Sequence, residues 1–454
     1  MAATSRRVDL DAAMKVIFQE PVVANVVEDS ELMKFIDQDA NVEYKNTTGG
    51  RYVERSHDFR KGGSAGMRSE SDYIPVANKP KYRNSRIKLR KLQGSVEMSG
   101  DAMRRVRHDE GAFLDYMDRI LPDCVVRIVN SIDRQYVGTG FGHKARIAAK
   151  GAGGSAAANY IDVDRAYGVT GLTDAWKVFL EGDSIVFSSG ATGATLKAGT
   201  LQRFAIVADI SEDLNRIFLE NDAGGLVDAT LFTNTAVNDY IFEGDNAGAS
   251  VQDPFDTEYR EISGLLAGVD DGNIVATYHN IARSGIRLWQ GMIIDSSSAS
   301  LGFNSQMSED LLVYADETVA ERGAGKITHL IMSRSANRGY WKSLKGDRTI
   351  NDPRGSYTGG KSSGLEIILG DRTVTLKVAR KLPPQLAFGM QKDTWKRYGL
   401  GQFEWDDATG AIWNRATDAT GRLDQLYAVG NMYEELECSA PRKNFRIDNL
   451  TATA

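Results

Sequence analysis

The stretch Ser85-Arg-Ile-Lys-Leu-Arg90, followed further on by Ser99-Gly-Asp-Ala-Met103, brackets the point where the hydrophobic period of this chain changes. Through Ser85 to Arg90 polar and apolar side chains alternate, and a period of two predicts a strand with one charged face. Beyond Ser99 the apolar residues Phe113, Met117, Ile120, Leu121, Cys124, Val125, Ile128, Val129, Ile132 and Tyr136 recur three or four apart. That spacing lines one face of a long helix. Ser99 or Asp101 can cap its start by accepting a backbone N–H bond, and Gly138-Thr-Gly140-Phe-Gly142 ends it. Pro122 lies inside the pattern and removes one ladder bond, which predicts a kink or break there.

Upstream, residues 41–92 are polar and punctuated by Gly49-Gly50, Gly62-Gly63 and Gly66, and with the strand at their end they predict a long extended β-hairpin. Residues 1–40 read as an N-terminal arm with short helical pieces. Downstream, 93–165 hold the helix and then a glycine- and alanine-rich linker over 143–165. Residues 166–250 hold the strand-like runs Trp176–Leu180, Ser184–Phe187, Phe204–Val207 and Tyr240–Phe242, and predict an inserted small β-barrel or sandwich. Over 251–454 an amphipathic helix (Ser308–Arg322), a buried strand (Ile327–Met332), a second helix (Asn337–Leu344) and a strand pair about Gly370-Asp371 give an α+β body, helices against a mostly antiparallel sheet.

With 454 residues the chain exceeds what one hydrophobic core usually serves, so two or three lobes are expected. Hydrophobic residues make up 42% and charged residues 26%, which fits globular packing and not disorder. A formal charge of -6 has the wrong sign for a protein that coats nucleic acid. Cys124 and Cys438 are the only cysteines, too few for a disulfide framework or a thiolate metal cluster, and they suit a reducing compartment. No apolar run is long enough for a signal peptide or a bilayer span, so the chain reads as soluble and not secreted.

Gly355-Ser-Tyr-Thr-Gly-Gly-Lys361-Ser362 fits the phosphate-binding P-loop pattern. Phosphates sit on the N-terminus of a helix leaving such a loop, whereas here Gly364-Leu-Glu-Ile-Ile-Leu369 reads as a strand, so a flexible glycine loop is the better reading. His57, His108, His143, His279 and His329 are scattered without helical i, i+4 spacing, which leaves a metal site unsupported. Neither a catalytic residue nor a cofactor is expected. Glu404-Trp-Asp406-Asp407 reads as an exposed acidic turn. The segment from Lys79 to Lys91 carries seven cations and no acid. Such a strand can bind phosphates nonspecifically, but a fit to an acidic patch on a neighbouring subunit is favoured. Arg83, Arg86, Lys88 and Arg90 on one side, with Glu404, Asp406 and Asp407 on the other, are the candidate inter-subunit contacts.

Arm, glycine-punctuated hairpin, long helix closed by glycines, and mixed body occur here in an order that resembles the major capsid proteins of tailed bacteriophages with the Hong Kong 97-type fold. Further likenesses are Ser99–Met103, Gly138–Gly140, Tyr278-His-Asn-Ile-Ala-Arg-Ser284 with Leu288-Trp-Gln-Gly291, Thr328–Ser333 into Asn337–Tyr340, and Trp405 to Trp413 and Tyr427. The resemblance covers nearly the whole chain and implies an extended loop, a spine helix, and peripheral and axial domains, with 166–250 an insertion. It also implies a virion shell built from hexamers and pentamers around double-stranded DNA, assembled in a bacterial cytoplasm. The partners it implies are further copies of the chain, a separate scaffolding protein, a portal protein, a decoration protein, and DNA through nonspecific contact. An encapsulin-like compartment shell shares the fold and is the nearest rival; a tail or decoration protein and a P-loop NTPase are the others.

Overall fold

Among the described residues exposure alternates along Val53–Arg60, and the antiparallel partner Lys81–Ile87 completes a two-stranded ribbon. The computed structural model describes residues 52–67, 76–99, 126–191, 195–200, 202–221, 223–245, 248–249, 261–343, 366–369, 372–399, 403–406, 414–418 and 421–451, with positions 32, 36, 73 and 124. The start of the long helix, its Pro122, and the P-loop-like segment 355–362 lie outside the described residues. The chain divides into two compact units, one drawing on 89–136 and 397–436, the other on 43–88, 137–396 and 437–454.

In the first unit the strand Arg90–Ser99 pairs antiparallel with the long strand Gly421–Cys438, in register from Arg90 opposite Glu434 to Ser99 opposite Gln425. The expected single strand over Ser85–Arg90 is therefore two: the ribbon ends at Ile87 and a new strand begins at Arg90. Period-two alternation reports a face, and it continues across the break at Lys88-Leu89. The helix described over 126–137 buries Ile128, Val129, Ile132 and Tyr136, the stripe its spacing predicts. Gly94 makes room for it, because a Cβ there would lie 2.6 Å from Ile128 Cδ1.

In the second unit seven strands form one sheet in the order Gly248–Ala249, Tyr240–Asp245, His143–Lys150, Tyr160–Asp164, Arg216–Glu220, Phe204–Ser211, Ser184–Ser188. Tyr240–Asp245 also pairs with Ser184–Ser188, so six of the seven close into an antiparallel ring. Val186, Phe204 and Phe242 pack together in its core, while Ile147, Ile161, Val163 and Ile217 are buried along its walls. Residues 143–165, expected as a linker, supply two of the ring strands. Trp176–Leu180, expected as a strand, instead holds the 3-10 turn Ala175–Val178.

The body of this unit is a six-stranded sheet, ordered Met292–Asp295, Phe445–Asp448, Ala387–Met390, His329–Met332, Arg372–Val378, Glu366–Leu369. Its first two strands run parallel, as do His329–Met332 and Arg372–Val378, and the other three neighbouring pairs are antiparallel, so the sheet is mixed with antiparallel pairs in the majority. Helix Glu309–Gly323, capped by Ser308 through its bond from Leu311 N, buries Leu311, Leu312, Ala315 and Val319 in the core formed with this sheet. The second expected helix is present as Arg334–Ser343. Mixed helix and sheet make the chain α+β.

Candidate functional site

The two-stranded ribbon has a built root. Its register sets Val53 opposite Ile87, Arg55 opposite Ser85 and His57 opposite Arg83, which puts Val53, Arg55, His57 and Phe59 on one face. Glu54, Ser56, Asp58 and Arg60 are exposed on the other. On the first face three polar side chains converge on the buried carboxylate of Glu437. Arg55 Nη1 lies 3.1 Å from its Oε2, and Ser85 Oγ donates to Oε1 across 3.2 Å. His57 Nε2 stands 3.3 Å from the same Oε1 and 2.9 Å from Ser85 Oγ.

Burial alone would raise the Glu437 carboxyl. The hydrogen bond from His57 and the fields of His279, Arg55 and His57 outweigh it and hold the group at about 2. It is ionised at neutral pH, and a buried anion with three partners favours one arrangement of the root.

Aromatic packing completes the root. The ring of His57 lies 4.7 Å from that of Trp289, and Phe59 meets Trp289 edge-on at 5.8 Å. Trp289 Nε1 donates to the carbonyl of Tyr278, and the Tyr278 hydroxyl accepts from the backbone N–H of Cys438. His279 and Asn280, both at positive φ, form the two-residue turn between Thr277–Tyr278 and Ile281–Ala282, and the Arg86 N–H donates to the carbonyl of His279. Behind them the buried Arg283 donates to the carbonyls of Ala267, Gly268, Val275 and Trp289 and faces Asp270 at 3.4 Å. Tyr278–Ser284 and Leu288–Gly291, singled out in the sequence, are thus the bed on which the arm is rooted.

Outward from Phe59 the side chains become exposed. Met67, Tyr73, Val76 and Tyr82 are each more than half exposed, interspersed with exposed Arg60, Lys61, Lys79, Lys81 and Arg83. Of these four, Tyr82 lies on a paired strand, and Met67, Tyr73 and Val76 lie in the connection between the two strands. Two-stranded ribbons are marginal alone in water.

The sequence-derived contact residues fall in different places. Arg83 is exposed on the arm; Arg86 is exposed there too and pairs with Glu54 at 3.0 Å. Lys88 is half-buried just beyond the ribbon. Arg90 is a correction: it is buried, its Nε is 3.2 Å from Glu435 Oε2, and a guanidinium held inside the chain is not offered to a neighbour. Glu404 and Asp406 are exposed, but Glu404–Trp405 is a strand paired with Asn431 and Gly430 rather than a turn, and Trp405 is buried against Phe403. Asp407 lies outside the described residues. The residues sequence reasoning missed are Arg55, His57, Ser85 and Glu437. Their signal was Glu434-Glu-Leu-Glu437, three carboxylates in a strand whose neighbours are apolar, since acids are seldom buried without partners.

Among the described residues no group of three or more His, Cys, Asp or Glu is placed to hold a metal ion, and no helix is long and apolar enough to cross a membrane. No family model and no curated protein matches the chain. Among solved structures it is similar to the cyanophage A-1(L) capsid asymmetric unit, with 10% identity, a TM-score of 0.44, and coverage of 92% of this chain and 96% of that one. The capsid of a native GTA particle follows at 10% identity and a TM-score of 0.40, covering 93% and 90% of the two chains. The SrpI encapsulin of Synechococcus elongatus matches 42% of this chain and 57% of its own at 10% identity, with a TM-score of 0.25.

Proposed function

We propose that this chain is the major capsid protein of a tailed bacteriophage, a subunit that assembles as hexamers and pentamers into an icosahedral shell enclosing double-stranded DNA. The observation that carries the reading is the arm: fixed at its root by Glu437, it exposes the large apolar side chains of Met67, Val76 and Tyr82, with Tyr73 exposed beside them. A second copy of the chain covers them, with Arg83, Arg86 and Lys88 approaching Glu404, Asp406 and Asp407 of that copy. Opposite charges there set register and speed correct docking more than they add affinity.

In this division 1–40 is an N-terminal arm, 41–92 the extended loop, 93–165 the spine helix and the start of the peripheral domain, 166–250 the inserted β domain, and 251–454 the axial domain with the return to the peripheral domain. Strands His143–Lys150 and Tyr160–Asp164, which precede residue 166, belong to the same ring of strands as those of 166–250. A separate scaffolding protein, a portal protein and a decoration protein act with it, DNA is met only nonspecifically, and assembly takes place in the host cytoplasm. Such a subunit carries out no catalytic step.

The test is electron microscopy of purified protein under assembly conditions, for the full chain and for a variant in which a short turn replaces residues 61–80. Closed shells from the full chain and free folded subunits from the variant are expected. Normal shells from the variant would overturn the reading, as would a full chain that forms tubes. Cargo enzyme in place of DNA inside particles from the native host would favour the encapsulin-like reading, and nucleotide binding lost on Lys361→Ala would favour the NTPase.

A further inference from the structure

Three elements of the second unit, far apart in sequence, bring cations to one place. The helix Glu309–Gly323 ends against the 3-10 turn Pro441–Lys443, and the 3-10 turn Arg287–Trp289 packs against that same turn. The fit is close: a Cβ on Gly323 would fall on the carbonyl of Arg442, and one on Gly325 would lie 2.7 Å from the carbonyl of Lys443. Asn444 fixes the turn from behind, its Nδ2 donating to the carbonyl of Ala440 and its Oδ1 accepting from the N–H of Gln391. The N–H of Met292, just past Trp289, donates to the carbonyl of Asn444 and ties in the third element.

Arg287 and Arg322 are exposed there, and Arg442 and Lys443 are half-buried. Among the described residues none of these side chains is in an ion pair. Glu321 precedes Arg322 in the chain but points about 100° away round the helix. Arg442 feels the crowding: its guanidinium is held below its usual range by burial first, and then by the positive charges of Arg322 and Arg287.

The helix end is a partial remedy. Its carbonyls carry about half a negative charge, which suits Arg322 in the last turn. That offsets one cation at most and leaves the others uncompensated. Guanidinium groups match phosphate oxygens in a planar fork, and cations set on several elements suit a ligand that is itself a row of anions. A nucleic-acid backbone is such a row, and each phosphate that meets a cation releases condensed counterions.

We propose that Arg287, Arg322, Arg442 and Lys443 form a site for the phosphates of a nucleic-acid backbone, taken without regard to base sequence. That DNA is the source of those phosphates rests on the shell reading; the site itself does not. On a chain of net charge -6 the attraction is local and depends steeply on salt.

Fluorescence anisotropy of a labelled, mixed-sequence DNA duplex tests this, with the full chain held below the concentration at which it assembles and salt varied from about 0.05 M to about 0.5 M. Arg287→Gln combined with Arg322→Gln alters two exposed side chains, so the fold should hold. Two lost phosphate contacts should flatten the slope of log K against log salt by about 1.8, or about sixtyfold in affinity for each tenfold of salt below the point where the two lines meet. Lys79→Gln combined with Lys81→Gln removes two exposed cations from the ribbon and should leave the slope as it was. An unchanged slope in the first variant overturns the proposal, and so does an equal loss in the second, which would make the binding a matter of charge anywhere on the surface. Polyglutamate that displaces the duplex as readily as unlabelled DNA, at equal charge, would assign the patch to an acidic protein segment and overturn it too. Shell formation, followed separately by electron microscopy, bears on the shell reading alone. Shells from a chain that binds no DNA strike the site, whereas binding lost in the first variant of a chain that never forms shells strikes that reading and leaves the site standing.

Discussion

Arg55, early in the arm, and Glu437, near the end of the chain, form an ion pair 3.1 Å long in which the carboxylate is fully buried and the guanidinium only partly so. Ser85, on the returning strand of the arm, bonds the same carboxylate. Both strands of the ribbon are therefore tied to one side chain distant in sequence, and that tie fixes where the arm leaves the body.

Replacing Glu437 by Ala should leave Ser85 and His57 without their acceptor and Arg55 without its counter-charge. Breaking a buried pair from one side costs about 3–5 kcal/mol, and Arg55 can partly return to water, so about 3 kcal/mol is expected. Denaturant unfolding would read this loss, and trypsin should cut after Arg55 much faster. Wild-type stability with unchanged cleavage would show that the root is held by the aromatic contacts with Trp289 alone.

The same carboxylate sets an acid limit. Its folded value of about 2 lies below the usual 4.5, so its contribution is complete above the unfolded value and is lost as pH falls through the folded one. Between about pH 4.5 and about pH 2 the protein should lose up to about 3 kcal/mol on this account. Thermal melts of Glu437→Gln, which starts lower, should show a visibly flatter decline over that range. An equally steep decline in both proteins would assign the acid limit to other carboxylates.

Gly389 stands opposite Phe445 in the mixed sheet, and a Cβ there would fall inside contact distance of the Phe445 ring, which is itself fully buried. Gly389→Ala should destabilise by about 2 kcal/mol through overpacking. Adding Phe445→Leu should recover part of the loss, because the two changes share one space. Additive losses in the double variant would mean that the alanine acts through the backbone and not through the ring.

Much of this was legible in the sequence, for reasons tied to particular residues. Ile128, Ile132 and Tyr136 recur at helical spacing and are buried together, and the helix expected over Ser308–Arg322 is present as Glu309–Gly323. The ribbon was legible from its glycines and alternation, but its root was not, because Arg55, His57, Ser85 and Glu437 meet only through tertiary contact. Strand His143–Lys150 was hidden by its alanines, poor strand formers that the pairing with Tyr160–Asp164 and Tyr240–Asp245 overrides. Tyr160-Ile-Asp-Val-Asp164 did carry a period-two signal, with Ile161 and Val163 inward.

The exposed apolar side chains of the arm should separate folding from assembly. Replacing Met67 and Val76 together by Ser changes exposed surface positions, so subunit stability should stay within about 0.5 kcal/mol for each. Sedimentation should nevertheless show subunits in place of particles. Particles formed at the wild-type yield would locate the inter-subunit energy elsewhere.

The closed ring makes a prediction about where a domain begins. Pairing of Arg146 with Tyr240 joins the first and last strands of the ring, and outside them the N–H of Glu261 bonds the carbonyl of Gly140 at 3.0 Å, so the chain leaves close to where it entered. A segment with adjacent ends and its own buried core can fold alone. A fragment spanning 138–262 should therefore give a cooperative thermal transition and the circular dichroism of an antiparallel β domain. A fragment spanning 166–250, the block marked by its strand-like runs, lacks His143–Lys150 and Tyr160–Asp164 and leaves two neighbours in the ring unpaired. It should aggregate or remain unfolded, since open edges beside uncovered core residues cannot be satisfied by water alone. If the shorter fragment folds as well as the longer, ring closure is not what stabilises this domain, and the strands before residue 166 serve the body instead.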